Sequence, residues 1–383
     1  MPEVAWIWTS PAWPNLTYDV ERLAGPIHRA RTESGRLLGK AEAIGRDELA
    51  LFQRDVWSGE AVATAAIEGE ALELASVRSS VARRLGITPD FVAAVPRNVE
   101  GLLDVMESAA ADWDSELTEE RLCRWQASLF PAGGSALRSV AKGRYRSHDD
   151  PMQIVSGPIG REVVHYLAPP SAAVRAEMHI YLEWFNRTRG SSLDGILRAG
   201  LAHVWFESIH PFEDGNGRVG RAIVDMALAH DARMPMRLHG VSSELRRRQA
   251  EYYDALNHAQ RGTGEVTAWL EWFTNVFADS CRASAALIDE ALVRARFWNE
   301  NKRVQINERQ RKVLNRILEA GPGRFEGGLT QRKYVGMTGT STATATRDIV
   351  DLLRKRLLVA GKSAGRSTYY NLTIPGGGWP PDK

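Results

Sequence analysis

The stretch His210-Pro211-Phe212-Glu213-Asp214-Gly215-Asn216-Gly217-Arg218-Val219-Gly220-Arg221 places an imidazole, a carboxylate, a glycine-rich turn and two guanidinium groups within twelve positions. Those are the parts needed to hold a nucleotide polyphosphate and attack it. An imidazole can accept a proton near neutral pH, which makes His210 a candidate base. Asp214 is a hard oxygen ligand suited to Mg²⁺ bridging phosphate oxygens. Gly215-Asn216-Gly217 can adopt positive φ and turn successive N–H groups into one anion nest. A helix opening at about Arg218 adds its free N–H groups and dipole to that nest. Arg218 and Arg221, three apart, then share a helical face and can each grip a phosphate. Two alternatives stand beside this reading. One is a polar loop before an ordinary surface helix. The other is zinc on His203, Glu207 and His210, spaced i, i+4, i+7, although the apolar surroundings favour a His203 satisfied inside the core.

Upstream, Thr64-Ala65-Ala66-Ile67-Glu68-Gly69 follows a run of alanines at 61 and 63. Alanine favours helix and permits close approach of a neighbour, and Gly69 is placed to end or bend that helix. Glu68 then projects from the helix end.

The string 210–221 resembles the signature of the Fic family, His-Pro-Phe-x-(Asp/Glu)-Gly-Asn-Gly-Arg-x-x-Arg, at every specified position. The resemblance implies a protein adenylyltransferase that moves AMP from ATP onto a Ser, Thr or Tyr hydroxyl of a target protein. It implies His210 as general base, Phe212 as the anchor of the loop and Asp214 as the Mg²⁺ ligand. Gly215, Asn216 and Gly217 cradle the α- and β-phosphates, Arg218 and Arg221 hold the outer ones, and Val219 and Gly220 complete the ATP-binding stretch. Residues 64–69 resemble the inhibitory helix of such proteins. By that resemblance Thr64 and Glu68 are the inhibitory residues, and Glu68 pairs with Arg221 where a γ-phosphate belongs. Other transfers known for the family (UMP, phosphocholine, removal of AMP) stay open.

The rest of the chain supplies a frame. The 383 residues are 44 % hydrophobic with a net charge of +2, enough for cores in two or three domains and too balanced to coat nucleic acid. Cys123 and Cys281 lack metal spacing and read as reduced and buried. The N-terminus lacks a basic-then-apolar leader, and no apolar run is long enough to span a bilayer, so cytoplasm is the default. Residues 1 to about 20 carry Trp6, Trp8 and Trp13 among prolines, an extended segment laid on the surface by its aromatics. Its pattern also resembles the opening of a domain found fused to Fic domains. Helical spacing covers much of 19–130, with Asp19 as a cap.

Residues 143–170 break that rhythm. Two β-branched runs around Gly157-Pro158-Ile159-Gly160 predict a β-hairpin, either a structural arm or, by the resemblance, the flap to which a target segment adds as a strand, with Ile154 and Val155 as docking residues. Tyr252 and Tyr253 resemble the Tyr-Tyr element lining the family's adenine pocket; two tyrosines on a packed helix is the competing reading. A long helix from Val266 to Phe297 closes this part. Residues 302–372 then carry 15 Lys and Arg against 5 Asp and Glu. Their pattern predicts helices over 307–320, from Thr330, and over 340–356, with a turn at 336–339 and a final β pair. This resembles a winged helix-turn-helix, with Ser341, Thr342, Thr344 and Arg347 opening the recognition helix; it serves DNA or protein contacts.

The expected fold is therefore mainly α: a Fic helical core with a β-hairpin flap and a C-terminal winged helix. The expected divisions are a helical domain over 1–95, a catalytic domain over 96–298, the winged helix over 299–374 and a disordered tail over 375–383. ATP and Mg²⁺ are the expected substrate and cofactor. The expected partners are a target protein, a second copy of the chain, and DNA, with no membrane. A nucleotide-sensing transcription regulator is the rival from another class.

Overall fold

The computed structural model describes residues 6–87, 95–131, 140–156, 161, 163–234, 238–321, 325–361 and 368–374. The expected hairpin turn at 157–160 and the tail from 375 lie outside the described residues. By its internal contacts the chain divides into two units, 1–285 and 286–383.

The first unit is helical apart from one hairpin. Its centre is α7 (Gly195–Ile209), buried along its whole length, as befits a helix with apolar residues on every side. Asp194 caps it, accepting from Ile196 N and Leu197 N. Gly200 lets α11 (Thr267–Glu300) approach, since a Cβ there would lie 2.9 Å from the Leu270 and Phe273 side chains. Against α7 runs α8 (Asn216–Ala232). Around this pair lie α1 (Val20–Ala43), α2 (Arg46–Ile67), α3 (Leu74–Arg84), α4 (Arg97–Ala111), α5 (Glu119–Ser128), α6 (Ser171–Arg187), α9 (Val241–Arg247) and α10 (Gln249–Gln260). Asp19 and Thr118 cap α1 and α5 through their side chains, satisfying N–H groups that a helix start leaves unpaired.

The hairpin pairs β1 (Gln153–Ser156) with β2 (Val163–Leu167) antiparallel, with a register shift between Ile154 and Val155. An isolated pair of strands is marginal alone, and this one is pinned from the β2 side. Trp8 Nε1 donates to Leu167 O at 2.7 Å, Trp6 meets Tyr166 edge-on, and the Arg261 guanidinium donates to the carbonyls of Val164 and His165. The aromatic N-terminal segment thus has a structural task, and within the expected extended segment Ile7–Thr9 form a short 3₁₀ turn. Cys281 is buried, whereas Cys123, expected to be buried as well, is only partly so.

The second unit holds α12 (Glu308–Ala320), α13 (Gln331–Thr338), α14 (Thr342–Arg354) and the antiparallel pair β3 (Leu358–Ala360) and β4 (Tyr370–Leu372), which also bridges Leu329. Val313, Leu314, Tyr334, Ile349 and Leu352 form its core. Asn307, Thr330 and Ser341 are N-caps. The expected turn at 336–339 narrows to Gly339, at φ +66°, because α13 continues through Gly336. Among the described residues no helix is long and apolar enough to cross a membrane.

Candidate active site

The loop 210–215 joins α7 to α8. His210 ends α7 in the left-handed region (φ 49°), its N–H donating to Phe206 O. Phe212 is buried against Tyr145 and Phe206, which anchors the loop. The Asn216 side chain bonds both backbone groups of Phe212, at 2.9 and 2.8 Å. It therefore braces the loop from within, and what it can offer an anion is its backbone N–H.

Helix α8 starts at Asn216, two residues earlier than expected. Of Gly215, Asn216 and Gly217, only Gly215 takes positive φ (+88°); Gly217 already lies in the helix. The reason for glycine at 217 is space: a Cβ there would collide with Glu68 Oε1 and lie 2.9 Å from Arg221 Nη1. The Glu68 carboxylate thus lies against the first turn of α8, at the positive end of its dipole.

Glu68 caps the C-terminus of α2, and Gly69 at φ +77° turns the chain away. Glu68 Oε1 accepts from Arg221 Nη2 at 2.8 Å. The Arg221 guanidinium, 4 % exposed, also bonds Thr64 Oγ1 at 2.6 Å and Thr64 O at 3.0 Å. Burial opposes charge on both partners, yet the pairing prevails: Glu68 is held below the ordinary carboxylate range and Arg221 above the ordinary guanidinium range. Two residues on, Glu70 accepts from Arg218 Nη1 at 3.3 Å and is itself held by Asn98. Both arginines of the motif thus face carboxylates from the end of α2. The resemblance of residues 64–69 to an inhibitory helix pointed to Glu68 and gave no sign of Glu70.

Arg146 is a second residue that sequence reasoning passed over. It is buried and donates to the carbonyls of His210 (2.8 Å), Ile209 (3.2 Å) and Pro169 (2.6 Å), while its own N–H bonds Pro211 O. The His210 side chain is 16 % exposed. Burial, with the nearby Arg146 charge, pushes its pKa down to about 4, so the ring is neutral and able to accept a proton throughout the physiological range.

Asp214 is half exposed beside the start of α8; its Oδ1 accepts from Gly215 N at 2.6 Å and lies 3.7 Å from Arg218. A hard carboxylate oxygen at an anion nest fits Mg²⁺. Among the described residues no three ligating side chains cluster to hold an ion by themselves. The zinc alternative fails on the same ground: His203 Nε2 is bonded to Tyr252 OH at 2.8 Å and its ring stacks on Trp269. Tyr252 is 2 % exposed, with its ring against Trp269 and Trp272. Of the tyrosine pair, Tyr253, 41 % exposed, presents surface, and its hydroxyl bonds Ile67 O at the end of α2. On the flap Val155 is exposed and Ile154 partly so, and among the described residues β1 pairs only with β2.

Residues 116–228 match the Fic/DOC family model, and residues 6–87 match a domain of unknown function (DUF4172). The chain thus carries a Fic domain over residues 116–228. A probable protein adenylyltransferase of Aquifex aeolicus is 30 % identical over 94 residues, 24 % of this chain and 26 % of that protein. A protein adenylyltransferase of Caenorhabditis elegans is 33 % identical over 89 residues, 23 % and 16 % of the two chains. The matched stretches thus span about a quarter or less of these relatives. Among solved structures, a Fic family protein from Desulfovibrio desulfuricans superposes with a TM-score of 0.51 at 22 % identity, covering 92 % of this chain and 97 % of its own. A Fic-domain signaling protein from Bacteroides thetaiotaomicron gives the same score at 19 % identity, covering 68 % and 96 %. Both likenesses concern the fold.

Proposed function

We propose that this Fic-domain protein transfers AMP from ATP to a hydroxyl side chain of a target protein, and that Glu68 holds it in a low-activity state. One observation carries the reading: a carboxylate of the chain itself occupies the anion seat formed by Arg221 and the start of α8. A carboxylate lying there stands in for phosphate oxygens. The adenylyltransferase names of the relatives point the same way.

In this reading the triphosphate lies along Gly215–Arg221, with backbone N–H groups and both guanidiniums opposing its charge. Asp214 would hold Mg²⁺, which spreads the phosphate charge when bound. The target segment adds to the open edge of β1 near Ile154 and Val155, which sets its hydroxyl by backbone pairing. His210 takes the hydroxyl proton as the oxygen attacks the α-phosphorus, and the bond to the bridging oxygen breaks to release pyrophosphate. With Glu68 on Arg221, the outer phosphates lack their partner and the α-phosphorus is out of line. Tyr253 is the tyrosine placed to meet the adenine.

The test uses Glu68→Gly protein with α-labelled and γ-labelled ATP. Label retained in protein from the α-position alone supports AMP transfer. Retention from the γ-position replaces it with phosphate transfer, and no retention from either removes the reading.

For the second unit we propose a winged helix. Its support is the Ser341-capped α14, with Thr342, Thr346 and Arg347 exposed, within a basic segment. Salt-sensitive, sequence-selective gel shifts would give this Fic-domain protein a DNA partner; their absence would leave the unit to protein contacts.

A further inference from the structure

Along the inner face of α7, one turn below His210, lies a buried carboxylic acid for which the functional reading has no task. Glu207 Oε2 is 3.7 Å from His210 Nδ1, and the Glu207 side chain is 7 % exposed. Its other oxygen, Oε1, faces the bare α-carbon of Gly220: a Cβ there would lie 2.5 Å from Oε1 and 3.3 Å from His203 Nδ1. Three buried polar atoms, Glu207 Oε1, His203 Nδ1 and His210 Nδ1, have no hydrogen-bond partner. Unpaired polar atoms at such depth cost free energy and commonly mark function. Of these, the Glu207 carboxyl and the His210 ring are near neighbours and chemically complementary.

We infer that Glu207 is the positioning residue of His210: its carboxyl accepts Nδ1–H, which fixes the ring's orientation and leaves Nε2 as the atom that takes the target's proton. This rests on the reading of His210 as the base. A neutral imidazole has one donor and one acceptor nitrogen, and the partner of the first decides which is which. Nδ1 is the buried nitrogen, so Nε2 must carry the lone pair. An acceptor at Glu207 Oε2 imposes that tautomer. When Nε2 takes the proton, the imidazolium keeps Nδ1–H on Glu207, the new bond forms at the α-phosphorus and pyrophosphate leaves.

The surroundings allow this without a buried charge. Burial is the main force on Glu207; Arg221 of α8 draws its pKa down, Glu68 at the end of α2 pushes it up, and it settles at about 8. His203, His210, Tyr252 from α10 and Tyr181 from α6 are further titratable groups around it. At neutral pH Glu207 is therefore a neutral acid. Its carbonyl oxygen serves His210. On the neighbouring turn the Gly220 backbone carbonyl favours charge on the His203 ring, and His203 Nε2 bonds the Tyr252 hydroxyl. The backbone carbonyl of Glu207 also favours a charged His210 ring, but it makes no hydrogen bond to Nδ1.

Two substitutions in the full-length Glu68→Gly protein test the inference. Glu207→Gln keeps an acceptor oxygen; Glu207→Leu fills the space without one. AMP incorporation from α-labelled ATP should fall about 100-fold for Leu, through kcat with the KM for ATP within about twofold, and only a few-fold for Gln. ¹⁵N NMR of the histidine rings, with His210 assigned by comparison with His210→Ala, should show an Nδ1–H tautomer in the parent and in Gln, and a mixture in Leu. The inference is overturned if Leu keeps the parent's kcat, or if the His210 tautomer is the same in all three proteins. Should the Glu68→Gly parent transfer no AMP, the reading of the reaction fails, and the NMR comparison still decides whether Glu207 orients the ring.

Discussion

A methyl group at Gly217 would collide with Glu68 Oε1, so that position distinguishes two ways of emptying the anion seat. Removing the carboxylate by Glu68→Gly leaves room for phosphate. Gly217→Ala displaces the carboxylate and fills the same space. We therefore expect Gly217→Ala to stay as inactive as the parent, and ATP titration by calorimetry to find no gain in affinity; a gain matching Glu68→Gly would contradict the geometry. The second carboxylate makes a weaker claim. Glu70 pairs with Arg218 at 3.3 Å and is about a third exposed, so the pair is worth about 1 kcal/mol or less. Glu70→Gln should tighten ATP binding by up to about fivefold, measured in the same titration. Much of this was legible beforehand: the roles proposed for His210, Asp214, Arg218 and Arg221 follow from residue types in a short string. Arg146 was not, because it binds backbone carbonyls contributed by residues far along the chain, and carbonyls leave no trace in residue identity. Tyr252 and Tyr253 are neighbours of one type, and only the surrounding tryptophans decide which is buried.

Helix α2 carries the inhibitory end, and its other anchor is also a carboxylate. Glu60 is buried and accepts from Ser242 N at 2.7 Å and Ser243 N at 2.8 Å, at the start of α9. Burial, reinforced by Asp225, pushes its pKa up to about 7 against the two backbone donors. The folded protein therefore holds a proton on Glu60 at pH values where the unfolded chain, near 4.5, has lost it. The stability this contributes is present below about pH 4.5 and is lost as pH rises to about 7. His203, His210 and His230 work oppositely: burial lowers all three, and their contribution is lost as pH falls below about 6.5. Because Glu60 opposes the histidines over this window, Glu60→Gln should make Tm rise more steeply with pH between about 4.5 and 7 than it does in the parent. Identical profiles for the two proteins would contradict the assignment. At this scale the hairpin and the helix at 60–68 were readable from period and alanine content. The start of α8 and the passage of α13 through Gly336 were not, since a glycine says that space or freedom is needed without saying which.

As a whole molecule the chain pairs a helical unit carrying the Fic domain with a basic second unit. In 302–372 the basic excess is large, while Asp348 and Asp351 are occupied by Arg309, Tyr334, Gln310 and Lys355 within the unit. The exposed Arg347 is free of that network. If α14 meets duplex DNA, Arg347→Ala should reduce the slope of log K against log salt by about one, read by fluorescence anisotropy; an unchanged slope removes α14 from the interface. The central claim lies in the first unit. Its most direct test compares protein-bound label after incubation with α-labelled ATP for the parent, Glu68→Gly, and Glu68→Gly with His210→Ala. The account predicts little label in the parent, at least about tenfold more in Glu68→Gly, and none in the double variant. Equal labelling of parent and Glu68→Gly, or label that survives loss of His210, would contradict it.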